Sequence, residues 1–162
     1  MSPPTVTHET FVIERTYDVP VAQTFQAWAD PLLKARWFAG SAEALGASYE
    51  LDFRVGGRET NRGGPPGGPV YTYASEFRDI VPEQRIVYTY EMFADEACIS
   101  VSVATVLFSG HDATSQLVLT EQGVFLDGHD TVAQREEGTR SLLDSLGASL
   151  KHQVPQHFPR SS

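Results

Sequence analysis

The stretch "SQLVLTEQGVFLDGHDTVAQREEGTRSLLDSLGASLK", residues 115–151, decides the fold of this chain. It begins with the alternating apolar and polar pattern of a β-strand and continues through an acidic turn. Thr131, followed three residues later by Gln134, forms a capping-box pattern that predicts the start of a long helix over residues 131–151. The apolar stripe of that helix consists of leucines at helical spacing: Leu142, Leu143, Leu146 and Leu150.

Outward from this stretch, the chain has the pattern of an antiparallel sheet. One strand is predicted over residues 11–19, and Pro20 and the Asp30-Pro31 pair each open a short helix after it. From residue 49 to residue 122, alternating segments are separated by short turns, which predicts a meander of six or seven strands. The apolar face of such a sheet needs a cover, and the last helix is the only element long enough. The predicted fold is α+β, with a curved sheet wrapped around the C-terminal helix.

The glycine- and proline-rich segment "VGGRETNRGGPPGGPV", residues 55–70, lacks the Gly-Lys-Ser/Thr ending of a phosphate-binding loop. It is interpreted as a flexible hairpin tip near the mouth of a cavity. Its neighbouring arginines, Arg54, Arg58 and Arg62, are expected at the solvated surface.

Length and charge limit the function classes. The 162 residues predict one domain over 1–162, with a core of about 9–152 and frayed ends. The formal net charge of −9 argues against nucleic-acid and membrane-surface partners. The first residues resemble no secretory signal, and no apolar run has a membrane-spanning length, so we expect a cytoplasmic protein. A homodimer is compatible with this composition.

The last helix changes character along its length. Its C-terminal half carries leucines, whereas its N-terminal half presents Arg135, Gly138 and Thr139 on the same stripe. Two outcomes stay open: large rings from the sheet fill the space, or a small-molecule cavity remains there. The candidate ligand-binding residues of the sheet are its inward aromatics: Phe53, Tyr71, Tyr73, Phe77, Tyr88, Tyr90 and Phe108.

Four segments, in this order, resemble the START-like SRPBCC superfamily. They are "WADPLLKARWFAG" (28–40), "LDFRVGGRE" (51–59), "IVPEQRIVYTYE" (80–91) and "TEQGVFLDGHDTVAQREEGTRSLLDSLGASL" (120–150). The nearest branch is the one related to the C-terminal domain of the heat-shock chaperone ATPase activator. The resemblance implies a helix-grip fold with a deep cavity, and ligands such as lipids, sterols or polyketides. Many relatives have Gly-Trp where this chain has Gly138-Thr139, a departure that should enlarge or polarise the cavity.

Two charged residues are expected inside the domain. Glu121 shares a strand face with Leu117 and Leu119, and Arg135 lies on the inward stripe of the helix. A buried charge is costly without a partner, so the two should meet directly or through one bridging group. Glu121 is also the candidate general base if the protein is an enzyme.

Neither a metal site nor a cofactor site is predicted. His129 stands between Asp127 and Asp130 without a distant second histidine, and the two aspartates are interpreted as capping groups before the helix. Cys98 is the only cysteine, and its apolar strand predicts a buried, inert thiol.

Three functions remain. The leading one is binding of an apolar or aromatic small molecule between the sheet and the last helix, with Glu121, Arg135 and Thr139 fixing its polar end. The second is an enzyme of cyclase or hydrolase type that uses the same cavity. The third, implied by the resemblance, is stimulation of a chaperone ATPase.

Overall fold

The computed structural model describes residues 3–153. Seven strands and three α-helices form an α+β fold, as predicted. The strands are β1 (Val6–Tyr17), β2 (Tyr49–Leu51), β3 (Arg58–Gly63), β4 (Tyr71–Val81), β5 (Arg85–Ala94), β6 (Ala97–His111) and β7 (Thr114–Leu126). The helices are α1 (Val21–Ala29), α2 (Pro31–Phe38), a single 3-10 turn (Ala42–Ala44) and α3 (Val132–Gln153).

The seven strands form one antiparallel sheet in the order β1-β7-β6-β5-β4-β3-β2. Consecutive strands pair with one another except at β1, which pairs with the last strand, so that Phe11 lies opposite Glu121. Helix α3 packs against β1, α1 and α2. Its buried leucines join the core that covers the inner face of the sheet. This is the predicted wrapping of a sheet around the C-terminal helix.

The two short helices begin where the sequence predicts. Asp30 caps α2 by accepting hydrogen bonds from the backbone N–H groups of Leu32 and Leu33, and Pro31 occupies the first turn. At α3, the Thr131 hydroxyl accepts from the Gln134 N–H at 3.1 Å, so this half of the predicted capping box is present.

The prediction for residues 49–70 is partly wrong. The strand expected through Val55 ends at Leu51, and the loop expected from 55 to 70 contains β3. A Cβ at Gly57 would lie 2.1 Å from the Asp52 carbonyl oxygen, so the chain turns tightly between β2 and β3. Val55 is 57% exposed in this turn.

The ends of the domain also differ from the expectation. Strand β1 starts at Val6, earlier than the apolar pattern indicates. Its first residues pair with β7 but are all exposed, so they show no alternation of buried and exposed positions that the sequence could reveal. The Thr5 N–H donates to an Asp127 carboxylate oxygen at 3.0 Å. The tail predicted over residues 154–162 lies outside the described residues. Cys98 is half-buried rather than buried. Among the described helices, none is long and apolar enough to cross a membrane.

Candidate functional site

A pocket of about 280 Å³ lies between the sheet and the N-terminal half of α3. Helices α1 and α2 close one side, strands β3, β4, β5 and β7 supply the sheet side, and α3 with the turn before it supplies the rest. Most of the wall is apolar or aromatic, with a few polar groups. The lining residues are Trp28, Trp37, Phe38, Asn61, Tyr73, Tyr88, Tyr90, Met92, Leu119, Glu121, Asp130, Gln134, Arg135, Gly138, Thr139, Leu142 and Leu143.

The pocket lies where the stripe of α3 changes from leucines to small residues. A Cβ placed on Gly138 would meet nothing within 4 Å. The Thr139 hydroxyl donates to the Arg135 carbonyl oxygen of its own helix at 2.9 Å. These two positions therefore leave the space that a larger side chain would occupy.

Seven of the predicted site residues line this pocket. They are Tyr73, Tyr88, Tyr90, Glu121, Arg135, Gly138 and Thr139. Whether they bind a ligand stays a prediction, since the structure shows only where they lie.

The other four predicted residues lie outside the pocket. Phe53 and Phe108 pack edge-to-face on Phe25 of α1, and Phe77 is completely buried against Phe53. Tyr71, at the start of β4, is 41% exposed. Alternation along the strands identifies residues of the inner face, but the sheet is longer than the pocket, and α1 covers another part of that face.

The sequence interpretation missed the aromatic residues on the two short helices. Trp28, Trp37 and Phe38 line the pocket, and the two indole rings meet edge-to-face with centroids 5.0 Å apart. The available signal was three large rings within eleven residues on helices too short to cover the sheet. Helical spacing puts Trp28 on one apolar stripe with Val21 and Phe25, but this pattern does not distinguish a packed ring from one that faces a pocket.

A polar cluster forms one wall of the pocket. The Tyr90 hydroxyl donates to Glu121 Oε2 at 2.7 Å and accepts from Arg135 Nη1 at 2.9 Å. Arg135 Nη1 lies 3.7 Å from the same carboxylate oxygen, so Tyr90 is the bridge between the two charges. Arg135 Nη2 donates to Ser100 and, at 2.6 Å, to Asp130. We call these five residues the wall cluster.

Burial changes the acid–base properties of this cluster. Desolvation raises the pKa of Glu121 above its ordinary value, although the hydrogen bond from Tyr90 and the charge of Arg135 oppose the shift. Desolvation also raises the pKa of the Tyr90 phenol, and the nearby Glu121 carboxylate adds to it. The phenol therefore stays protonated and remains a donor.

A second buried ion pair, which the sequence interpretation missed, lies behind the aromatic end of the pocket. Lys34 Nζ on α2 lies 2.8 Å from Glu59 Oε2 on β3, and Tyr49 of β2 donates to the same carboxylate at 2.5 Å. All three side chains are at most 1% exposed. We call them the sealed cluster.

Aromatic faces surround the ammonium group of the sealed cluster. Lys34 Nζ lies 4.7 Å from the ring centroid of Trp28 and 4.6 Å from that of Phe38. Such contacts stabilise a cation that has lost its water. Full burial still lowers the pKa of Lys34, and Glu59 opposes that effect. The cluster joins α2 to β2 and β3. Glu59 is therefore buried in a strand, although its segment was expected to be an exposed loop.

The acidic turn before α3 does not act as the sequence suggests. Asp127 does not cap α3 but accepts from the backbone of Thr5, which is a correction to the capping interpretation. Asp130 accepts from the Thr131 N–H and pairs with Arg135. Among residues 3–153, no group of three or more His, Cys, Asp or Glu side chains is arranged to hold a metal ion.

The curved sheet, the C-terminal helix that it surrounds and the pocket between them define the helix-grip class of START-like SRPBCC proteins. Within that class, the chain belongs to the family described as Activator of Hsp90 ATPase homolog 1-like protein, whose profile matches residues 18–151. No curated protein matches the sequence.

Solved structures of similar chains share this fold. An uncharacterized protein from Rhizobium leguminosarum is 40% identical, with a TM-score of 0.87 over 94% of this chain and 100% of its own. The protein Mll3558 from Rhizobium loti is 43% identical, with a TM-score of 0.82 over 90% of this chain and 99% of its own. DynU16, a protein of the dynemicin biosynthetic locus, is 16% identical and shares the fold, with a TM-score of 0.64 over 88% of this chain and 47% of its own.

Proposed function

We propose that the protein binds an apolar or aromatic small molecule in the pocket under α3. The observation that supports this most directly is a pocket of about 280 Å³ whose wall includes six aromatic rings, on Trp28, Trp37, Phe38, Tyr73, Tyr88 and Tyr90. Protein interiors are normally close-packed, so an opening of this size in the middle of a core is a feature of ligand sites.

The volume limits the ligand. A cavity of about 150 Å³ admits a benzene ring. The pocket here is larger, at about 280 Å³, which suits a molecule of two or three rings rather than a long lipid chain. The wall cluster adds a polar boundary, whereas the rest of the wall offers dispersion and ring contacts.

Native mass spectrometry of freshly purified protein tests the proposal without choosing a ligand, since a co-purified molecule appears as added mass. A second test is titration with N-phenyl-1-naphthylamine, a neutral molecule in which a naphthalene is joined to a phenyl ring. The fluorescence of the probe itself reports its binding. We expect saturable binding to the wild-type protein.

Thr139→Trp places an indole in the pocket and should weaken probe binding by about tenfold or more, with little loss of stability. The matched control is Ser145→Trp, which adds the same ring to an exposed position of the same helix and should leave binding unchanged. Equal affinity in the wild-type protein and the Thr139→Trp variant would place the probe elsewhere and contradict the proposal.

A second candidate function is catalysis in the same pocket with Glu121 as general base. The observation that favours it is the raised pKa of a carboxyl group in the pocket wall. Against it, Glu121 Oε2 is already bonded to Tyr90, which is the arrangement of a structural pair. An enzyme should lose turnover of its substrate in the Glu121→Gln variant while still binding it. Stimulation of a chaperone ATPase stays a prediction supported by the family description alone.

A further inference from the structure

We propose that the ligand of this pocket is uncharged and carries a hydrogen-bond acceptor, such as a carbonyl oxygen. This acceptor lies at the aromatic end of the pocket, beside Trp28, Tyr73 and Tyr88. This inference rests on the proposed ligand-binding function and specifies the chemistry of the molecule bound. Two independent observations carry it: the charges of the wall are already paired with one another, and some of its hydrogen-bond donors have no partner.

The wall cluster has no positive charge to spare. Arg135 lies 2.6 Å from Asp130 and 3.7 Å from Glu121, and its guanidinium group also donates to Tyr90 and Ser100. The three charged groups sum to −1 when Glu121 is ionised and to zero when it is protonated. A ligand carboxylate or sulfonate would therefore meet no uncompensated cation, and its desolvation would be costly.

The sealed cluster offers no cation either. Both oxygens of Glu59 lie within 2.9 Å of Lys34 Nζ, and the lysine side chain is 1% exposed. The rings of Trp28 and Phe38 lie beside the ammonium group and also line the pocket, so they separate the charge from a ligand. A ligand cation would find Glu59 already beside Lys34, and Asp130 and Glu121 already beside Arg135, so only the single excess charge of an ionised Glu121 could attract it.

The aromatic end of the pocket, in contrast, has unused donors. The indole N–H of Trp28 and the hydroxyl of Tyr73 are buried without a well-formed hydrogen bond to a described residue, although the Ser75 side chain lies near enough to Tyr73 to oppose the rise of its pKa. The Tyr88 hydroxyl likewise makes no hydrogen bond to a described residue, and all three side chains line the pocket. Burial raises the pKa of both phenols well above the ordinary value, so both stay protonated.

These unused donors are the exception for buried polar groups. Tyr90 on the same strand as Tyr88 uses its hydroxyl twice, as donor and as acceptor. A buried donor without a partner is costly, so a ligand that brings an acceptor gains more here than a hydrocarbon of the same shape. An indole N–H can only donate, which makes the ligand the acceptor.

The charge part is tested with two probes that share one skeleton. N-phenyl-1-naphthylamine is neutral, and 1-anilinonaphthalene-8-sulfonate is the same molecule with a sulfonate group. Only fluorescence that disappears in the Thr139→Trp variant counts as pocket binding. We expect the neutral probe to bind in the pocket at least about tenfold more tightly. Equal or tighter pocket binding of the sulfonate overturns this inference but leaves the proposed function standing.

The acceptor part is tested by calorimetry with fluorene and 9-fluorenone, which differ by one carbonyl oxygen. The ketone should bind the wild-type protein about fivefold more tightly. Tyr73→Phe and Tyr88→Phe each remove one hydroxyl and should reduce that preference, measured as the ratio of the two dissociation constants in each variant. Tyr71→Phe is the matched control, since Tyr71 is exposed and outside the pocket.

The outcomes separate the two proposals. No preference for the ketone, or a full preference in both pocket variants, overturns the acceptor inference while ligand binding stands. Failure of every neutral molecule to bind the wild-type pocket overturns the proposed function, and this inference with it.

Discussion

The sealed cluster and the wall cluster both place opposite charges inside one small domain, yet they are built differently. In the sealed cluster, Lys34 and Glu59 are in direct contact and at most 1% exposed. In the wall cluster, Glu121 and Arg135 are 3.7 Å apart and joined through Tyr90, and Asp130 is 17% exposed. The sealed cluster joins secondary-structure elements behind the pocket, whereas the wall cluster borders the space that a ligand would enter.

The difference separates two uses of buried charge. A contact pair closed off from the pocket can serve only the fold, whereas a bridged network along an opening also sets which ligands fit. Burial alone does not distinguish the two ion pairs, because Glu121 and Arg135 are also at most 8% exposed. Stability and binding measurements on matched variants can make the distinction.

The largest expected effect is in the sealed cluster. Glu59→Gln leaves the Lys34 ammonium group buried without a counter-charge, so the free energy of unfolding should fall by about 3–5 kcal/mol. Urea denaturation measures it. The control is Arg54→Gln, which breaks an exposed pair with Asp52 and should cost about 1 kcal/mol or less. Similar losses in the two variants would show that the sealed cluster is not a stabilising pair.

In the wall cluster, Glu121→Gln should cost less than Glu59→Gln does in the sealed cluster, because Arg135 keeps Asp130 when Glu121 is changed. Glu121→Gln and Arg135→Met, made singly and together, form a double-mutant cycle. We expect a coupling free energy of about 1–3 kcal/mol from urea denaturation. Strictly additive losses would show that the Tyr90 bridge carries no coupling.

A smaller effect is expected from pH. The pKa of Glu121 is raised in the folded protein above its ordinary value of 4.5, mainly by desolvation, so the folded state binds a proton more tightly than the unfolded state. The contribution of this residue to the free energy of unfolding should therefore fall as pH rises from 4.5 through the folded-state pKa. The difference between the wild-type protein and Glu121→Gln, measured by urea denaturation across this window, isolates it. A difference that grows with pH in favour of the wild-type protein would reverse the sign and refute the assignment.

No effect is expected from metal removal. Asp127 and Asp130, on either side of His129, are bonded to Thr5 and Arg135. Because no group of three metal-ligand side chains converges in the described part of the chain, EDTA should leave the melting temperature unchanged. A drop with EDTA that one divalent metal restores would mean that the acidic turn beside the wall cluster holds an ion.

The sequence predicted the parts of the molecule that depend on periodicity. Alternation along β7 placed Glu121 inward, and helical spacing placed Arg135 opposite it, so their meeting could be expected. The change from leucines to Gly138 and Thr139 gave the position of the pocket. These features depend on local repeats, which a single sequence displays directly.

What the sequence did not predict depends on contacts between distant elements. Lys34 and Glu59 lie 25 positions apart, one on a helix and one in a segment whose glycines suggested a loop. Nothing in the neighbourhood of either residue indicates the other. The same holds for Trp28 and Trp37, which close the pocket only because α1 and α2 fold across one side of it.

The pairing of β1 with β7 has a consequence for how the chain folds. The Thr5–Asp127 hydrogen bond joins residues 122 positions apart, and the β1–β7 register continues from there to Tyr17 and Ser115. During synthesis, β1 therefore has no partner until almost the whole sheet has been made. Closing so long a loop is slow, and an unpaired strand edge is open to intermolecular association meanwhile. The exposed polar residues that follow Val6 in β1, namely Thr7, His8, Glu9 and Thr10, reduce that hazard until β7 has been made.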